Sequence, residues 1–422
     1  MIEAEVIALG HSGDGVVMHE GGRKYVAFAA PGDRLQLKLS DREKDRAGII
    51  QVLHPGRDRA VPVCGHFGVC GGCALQHLTE DFVAEWKRRQ IVNVLAQRGL
   101  HGIEVRPTLT MPPATRRRAA FTARHGDAGI EIGFHQPRSG QAVALRECAV
   151  LDPAIVQAVP GLGALTGPAL PRGGKARLLV TLTMAGIDVD ISPETGRGRE
   201  PDLRLRAHLA QAAEGLDLAR LSWRGEAVLT RRQPMVYPGG VGVPLPPAAF
   251  LQASPEGEAA LTALVIEAAG LQTLTRKGAH ILDLFAGCGA FSFPLARYAK
   301  VTAVEGDAAM AAAIRHGADH AQGIKPVGVQ HRDLARRPFR PDELPAFHAV
   351  VFDPPRTGAH GQAEMLAASE IRRAIAVSCG PAAFARDARI LADGGFHLRW
   401  VQPVDQFRWS AEIELVALFA RD

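Results

Sequence analysis

The chain has 422 residues, 47% of them hydrophobic, and a formal net charge of +5 from 49 Lys and Arg against 44 Asp and Glu. That length and apolar share exclude a single compact domain and predict two or three. Every apolar run stops short of membrane-spanning length and "MIEAEVIALGHSGDG" has no basic, apolar leader, so a cytoplasmic protein with neither signal peptide nor membrane partner is expected.

Residues 1–58 read as five short strands, "EAEVIAL", "GVVMH", "KYVAFA", "RLQLKLSD" and "AGIIQVL", separated by the turns "SGDG", "EGG" and "PGD". Five strands with glycine turns predict a small closed or half-closed β-barrel of the oligonucleotide-binding type. Residues 59–248 follow as a mixed α/β region that opens on a cysteine-rich loop, continues with a helix from Thr79 to Arg98, and carries another helix near 203–215. Arginine is concentrated here, in "WKRRQ" (86–90) and "TRRRAAFTAR" (115–124), which suits a polyanionic partner and equally a solvated face. From 249 to 422 the pattern changes. A helix capped by Ser254 leads into the strands "HILDLFA", "KVTAVEG", "PVGVQHRD", "HAVVFDPP", "RRAIAVSC" and "HLRWVQPV", with helices over 307–322 and 380–393 between them. Strand and helix in alternation predict an α/β fold with a doubly wound, mostly parallel sheet.

In "ILDLFAGCGAFSFPLA" an apolar strand ends at Asp283 and runs through Gly287 and Gly289 into a helix start. Glycines let backbone approach a ligand closely, and a helix N-terminus offers free N–H groups. Glu305, at the end of the next strand, is placed to accept hydrogen bonds from a ribose diol. The form D-x-F-x-G-x-G, together with Asp333 in "HRDL" and Asp353 in "FDPPR" at later strand ends, resembles the class I S-adenosylmethionine-dependent methyltransferases. Enzymes of that class that methylate exocyclic amino groups usually carry an aromatic residue after Asp-Pro-Pro, where this chain has Arg356. Amino-group methylation is therefore disfavoured.

In a reducing compartment, six cysteines read as thiols for metal or catalysis. Cys64, Cys70 and Cys73 have C-x5-C-x2-C spacing, with Cys148 a candidate fourth ligand. Four thiolates hold zinc or an iron–sulfur cluster, and three clustered cysteines with one distant partner favour a 4Fe-4S cluster over zinc. Cys288 reads as a packing residue of the glycine loop. Cys379 ends the strand "RRAIAVSC", ahead of a helix whose positive end is expected to lower its pKa. That placement matches a specific chemistry. Pyrimidine C5 becomes nucleophilic when a thiolate adds at C6, and a base must afterwards remove the C5 proton. Glu414 in "SAEIELVALFARD" is the best-placed carboxylate, with Glu412 as its competitor.

Taken together, "CGHFGVCGGCALQH", "FLQASPEGEAAL", "LDLFAGCGAF", "VEGD", "FDPPR", "VSCGPAAFARD" and "EIELVALF" resemble the RNA uracil-5 methyltransferases, in particular the 23S ribosomal RNA type with an iron–sulfur cluster and an N-terminal TRAM domain. The resemblance covers nearly the whole chain. It implies that Cys379 is the nucleophile and Glu414 the base, and that Cys64, Cys70, Cys73 and Cys148 hold a 4Fe-4S cluster. It also implies donor contacts from Gln252, Phe285, Ala290, Glu305, Asp333 and Asp353. The chain departs from the family pattern at Gly380, Ala290 and Asp333, where asparagine is frequent, and at Glu412, where histidine is. The expected partner is RNA presenting a flipped uridine, held by the first domain and Arg116 to Arg118, and the expected state is a monomer. A transfer RNA target and a catalytically silent, metal-dependent RNA-binding module are the competing readings.

Overall fold

The structure, a computed structural model, describes the chain apart from residues 42, 128, 195–200, 272–277 and 422. The N-terminal sheet has six strands in the order Ile2–Glu5, Arg34–Leu39, Arg46–His54, Gly22–Val26, Gly15–His19, Ala8–Leu9. The two edge strands are halves of one expected strand. At the bend between them, Val6 N–H donates to Asp33 O on one side while Ile7 N–H donates to Val16 O on the other. The sheet thus curls into a half-barrel around Val6, Val17, Val26, Leu35 and Leu37. A buried Asp33–Arg59 ion pair of 2.6 Å ties it to the cysteine-rich loop.

The middle of the chain forms a seven-stranded sheet, Ala142–Ala144, Gly129–His135, Arg118–Gly126, Lys175–Thr183, Gly186–Pro193, Arg220–Trp223, Glu226–Thr230, antiparallel except between Gly186–Pro193 and Arg220–Trp223. Alternation along the strands sends Phe121, Leu178, Val180 and Val189 to one face, where helices Pro153–Thr166 and Leu203–Gly215 cover them. Arg118, Thr122, Arg177 and Thr181 lie on the other face.

The third sheet runs Val327–His331, Lys300–Glu305, His280–Leu284, Ala349–Phe352, Arg373–Ser378, Glu414–Ala420, His397–Asp405, Glu104–Val105, with Leu109–Thr110 also on His397–Asp405. The first five strands are parallel, and Glu414–Ala420 is antiparallel to both its neighbours. Period two again sorts the core. Leu282, Leu284, Val350 and Phe352 face Leu366 and Leu391, whereas Ile281, Ala349 and Val351 face Leu261 and Val265.

Packing contacts cross the expected division at 249. Helix Glu80–Ala96 places Ile91 and Leu95 in the core of the third sheet, and Glu104–Val105 and Leu109–Thr110 extend that sheet's edge. The hairpin of Met235–Val236 and Val243–Pro244 likewise packs with Phe293 and Ile314. Chain continuity hid this exchange: edge strands of two residues leave no sequence signature, and the expected helix is too weakly amphipathic to show which sheet it covers.

Candidate active site

In a doubly wound sheet, a crevice opens at the carboxyl ends of the strands where successive crossovers diverge. Here that point flanks His280–Leu284, with Lys300–Glu305 on one side and Ala349–Phe352 on the other. A cavity of about 780 Å³ opens there, lined by Gln252, Phe285, Gly287, Ala290, Glu305, Asp353, Cys379 and Glu414 among others. Apart from Gln252, in the loop ahead of the helix Pro255–Ala269, each of these residues comes from a strand end or from the turn that follows one. Phe285 (φ 61°), Gly287 (φ 57°) and Gly289 (φ 80°) all stand in the left-handed region, so the loop after the first strand turns sharply away from the sheet. A Cβ at Gly289 would lie 2.6 Å from the Phe293 ring, so this glycine allows the helix to pack and does not itself reach the cavity.

Glu305 fastens the loop. Its two carboxylate oxygens accept from Gly287 N–H and Asp307 N–H, each at 2.8 Å, which leaves further lone pairs toward the cavity. Asp353 accepts from Gln252 Nε2 at 3.1 Å, and burial pushes its carboxyl up to about 7. Burial, then the charge of Asp353, holds Glu414 well above the ordinary carboxylate range. No Lys or Arg pairs with either carboxylate among the described residues. Behind the loop, Asp283 is fully buried, raised to about 7 by desolvation, and bonded to Ser292 Oγ through one oxygen.

Antiparallel pairing of Ser378 with Leu415 sets Cys379 across from Glu414. The thiol is pushed up to about 11, first by burial and then by Glu414 and Asp353. The expected lowering by the helix Pro381–Asp393 does not prevail, because desolvation and two carboxylates outweigh one helix end. Gly380 has its own reason: a Cβ there would lie 2.5 Å from Arg356 O, so a side chain would displace the Asp-Pro-Pro-Arg turn.

Glu412 and Glu414 are separated by environment. Glu414 is 4% exposed inside the cavity, whereas Glu412 lies outside it, bonded to the Arg356 guanidinium at 2.6 Å. Asp333 is not brought to the cavity. Its carboxylate accepts from Ala335 N–H at 3.0 Å and pairs with Arg336 at 3.3 Å, closing the turn after Val327–His331.

A second cavity of about 450 Å³ meets the first at Cys379 and Arg356. Cys64, Cys70, Cys73 and Cys148 all line it, together with His66, Arg116, Glu147 and Phe407. Burial raises the Cys70, Cys73 and Cys148 thiols, Cys73 to about 12, and the other cysteines of the set add to each shift. Gly72 N–H and Leu151 N–H point at the sulfurs of Cys70 and Cys148, at 3.4 and 3.5 Å. Four convergent sulfurs, N–H···S bonds and the nearby Arg116 fit an anionic thiolate-bound centre. The tight ligand group among the described residues is Cys64, His66 and Glu147, which leaves out the other three thiols.

The arginine triplet splits three ways. Arg116 faces the thiol cavity. Arg117 pairs with Glu258 at 2.5 Å and donates to Gln252 O at 3.2 Å, so it frames the first cavity and is not open to a partner. The Arg118 guanidinium lies 5.4 Å over the ring of Phe250, and burial, then Arg177 and Arg116, push it down to about 10.

Sequence reasoning missed Gln406. It is 4% exposed, follows the strand His397–Asp405, and donates from Nε2 to Glu414 Oε2 at 2.9 Å and to Gln252 Oε1 at 2.8 Å. A lone glutamine in a loop carries no pattern.

The crevice, the loop after the first strand and the antiparallel final strand define a methyltransferase-type α/β fold. No family model matches the chain. Whole-length relatives do. An RNA methyltransferase of Caulobacter vibrioides is 41% identical over 428 residues, covering 100% of both chains. One of Brucella suis biovar 1 is 40% identical over 414 residues, covering 98% of this chain and 96% of its own. The 23S rRNA (uracil(1939)-C(5))-methyltransferase RlmD of Alkalilimnicola ehrlichii is 31% identical over 453 residues, covering 100% of this chain and 96% of its own. The chain belongs to the RNA methyltransferases of the uracil-C5 family. Its fold is also similar to that of the Pyrococcus abyssi tRNA (uracil-54, C5)-methyltransferase solved with S-adenosyl-L-homocysteine, with a TM-score of 0.73, 20% identity and coverage of 99% of this chain and 100% of that one. No described helix is long and apolar enough to cross a membrane.

Proposed function

We propose that the protein transfers a methyl group from S-adenosylmethionine to C5 of a uridine in RNA, with 23S ribosomal RNA as substrate. The observation that carries this reading is the convergence in one cavity of Cys379, Glu414 and Asp353, two buried carboxylates with which no described Lys or Arg pairs, the lining Arg356 being bonded to Glu412. Buried acids without a counter-charge favour a cationic ligand. A bound sulfonium donor supplies that charge and an electrophilic methyl group. On this reading Gln252, Phe285, Gly287, Ala290, Glu305 and Asp353 hold the donor, Glu305 through the ribose diol. Gly289 shapes the loop, and Asp333 has no part in donor binding.

The reaction divides between the two residues facing across the strand pair. Cys379 Sγ, after loss of its proton, adds to uracil C6, and the ring electron pair moves through C5 to O4 as an enolate. C5 attacks the methyl carbon, so that the C5–CH3 bond forms as the sulfonium S–CH3 bond breaks, and S-adenosylhomocysteine leaves with that electron pair. Glu414 accepts the C5 proton, the C5–C6 double bond re-forms, and Cys379 leaves as thiolate. A thiol raised to about 11 is inert in the free protein, so the proposal includes its deprotonation only once substrate is bound.

RNA binding draws support from the helix-free face of the central sheet. Arg118 and Arg177 lie there, neither in an ion pair with a carboxylate among the described residues, beside the exposed ring of Phe250. Unpaired guanidinium groups suit phosphates, and an exposed ring suits a base. Cys64, Cys70, Cys73 and Cys148 hold a 4Fe-4S cluster on this reading, which would tie the loop 64–73 to Cys148 across the substrate side of the cavity.

The test is mass spectrometry of nucleosides from 23S ribosomal RNA and transfer RNA of a strain lacking the protein. Loss of 5-methyluridine from 23S RNA is expected. Loss from transfer RNA alone would move the substrate, and no loss in either would overturn the reading.

A further inference from the structure

The loop between the last two strands carries more construction than a connection needs. Lys87, 0% exposed, reaches it from the helix Glu80–Ala96 and bonds Asp405 Oδ1 at 2.6 Å and Glu412 O at 2.8 Å, so one ammonium pins both ends. Gln406, next to Asp405, is thereby turned inward. Its Oε1 accepts from Ala253 N–H at 3.1 Å, which fixes the amide so that the NH2 group faces the cavity. Both amide hydrogens are then used, one on Glu414 Oε2 and one on Gln252 Oε1, and Gln252 in turn donates to Asp353. Room for this amide depends on a glycine. A Cβ at Gly257 would lie 2.8 Å from Gln406 Oε1 and 2.9 Å from Gln406 Cβ.

We propose that Gln406 is a positioning residue for the base: its amide holds the Glu414 carboxylate in acceptor form and fastens it to the Gln252–Asp353 pair, setting the donor and proton-abstracting ends of the cavity as one unit. The inference rests on the function proposed above. Its physical basis is that a neutral donor bonded to a carboxylate favours the ionised form without a competing charge. The groups around Glu414 make such help necessary. Asp353 opposes its ionisation from the end of Ala349–Phe352, Cys379 faces it from Arg373–Ser378, and the Asp405 charge on its own loop is neutralised by Lys87. Arg356, the cation lining the same cavity, is bonded to Glu412. Gln406 is the neutral donor that reaches Glu414 from the loop.

The signs follow. Without the amide, Glu414 holds its proton to higher pH, so less base is present at neutral pH and the Cys379–RNA adduct persists. Gln406→Met keeps length and removes the donor. Its acid limb for 5-methyluridine release in single turnover is expected to move up by about one pH unit, with about tenfold slower release at pH 7 and recovery at high pH. Donor KM is expected to change by less than about threefold, because Asp353 and Glu305 remain. Gly257→Ala, which displaces the amide without deleting it, should move the limb in the same direction by less. A loss uniform across pH, with the midpoint unmoved in both variants, would overturn the proposal. Carboxyl C=O infrared titration of the free protein, with the Glu414 band assigned by its loss in Glu414→Gln, reads the same shift without RNA. If wild-type protein makes no 5-methyluridine but the band still shifts in Gln406→Met, the function falls while the role of Gln406 stands. An unmoved band sinks the role alone.

Discussion

Two cavities meet at Cys379 and Arg356, and they are built in opposite ways. The donor-side cavity is built largely on strand ends of one sheet, with the loop 246–252 closing one side, and at its centre are the buried carboxylates Asp353 and Glu414. The thiol-side cavity is made mostly of loops, 64–76, 145–151 and 407–412, joined by Arg116, Phe134, Arg356 and Cys379, and it gathers thiols with arginine nearby. On one side the buried Asp353 and Glu414 have no paired cation among the described residues, Arg356 being held by Glu412, and the other side concentrates sulfur beside the Arg116 guanidinium. Their chemistry is therefore divided: the first suits a sulfonium donor, the second an anionic metal centre. A nucleophile on the shared wall is reachable from both.

That division is broken most severely at the shared residue. Cys379→Ala is expected to lower methyl transfer by about 10⁴-fold or more while leaving donor affinity nearly unchanged. Equilibrium dialysis with the donor and a radiolabelled-methyl assay check the two halves, and an active variant would remove Cys379 from the chemistry. Glu414→Gln should follow, with turnover lowered by about 10²- to 10⁴-fold. A covalent protein–RNA band that survives denaturing electrophoresis distinguishes loss of the base from loss of the nucleophile.

Glu305→Ala tests the donor side alone. Two loop N–H groups and the proposed diol contact go together, so donor affinity should fall by about 10- to 100-fold. Cys73→Ser tests the other side: the thiolate-to-iron charge-transfer absorbance of anaerobically purified protein should disappear while donor affinity stays within about twofold. A colourless wild-type protein carrying one zinc per chain would replace the cluster by a single ion. Equal damage to donor binding from Cys73→Ser would mean the two cavities act as one.

The same comparison explains what was legible in the sequence. Glu305 and Asp353 were found because a strand end repeats a fixed geometry, and Ser254 because a cap has a local pattern, here Gly257 N–H donating to Ser254 Oγ at 3.0 Å. Asp333 satisfied the same positional rule and yet closes its own turn, since an acid two residues beyond a strand serves either use. The four thiols were legible as a spacing, though their shared wall with Cys379 was not. Gln406, the Arg117–Glu258 pair and the two-residue strand Glu104–Val105 were invisible, because each has a partner more than 100 residues away, Gln406 bonding Gln252 as well as the nearby Glu414. The direction of the Cys379 shift was lost for a related reason: the helix following it is local, whereas the burial and the carboxylates that outweigh it are tertiary.

The smallest expected effect concerns that direction. The thiol is raised to about 11 in the free protein, first by burial and then by the charge of Glu414. Replacing Glu414 by glutamine deletes that charge and should lower the thiol pKa, by about half a unit given that burial is the larger cause. Alkylation of Cys379 by iodoacetamide, read by peptide mass spectrometry between pH 8 and 11, should then be about threefold faster in Glu414→Gln at the lower end and equal at the upper. The sign is diagnostic. If the helix end governed the thiol, removing a carboxylate across the strand pair would leave the alkylation profile where it was. The nucleophile would then be ready before RNA arrived, rather than activated with it.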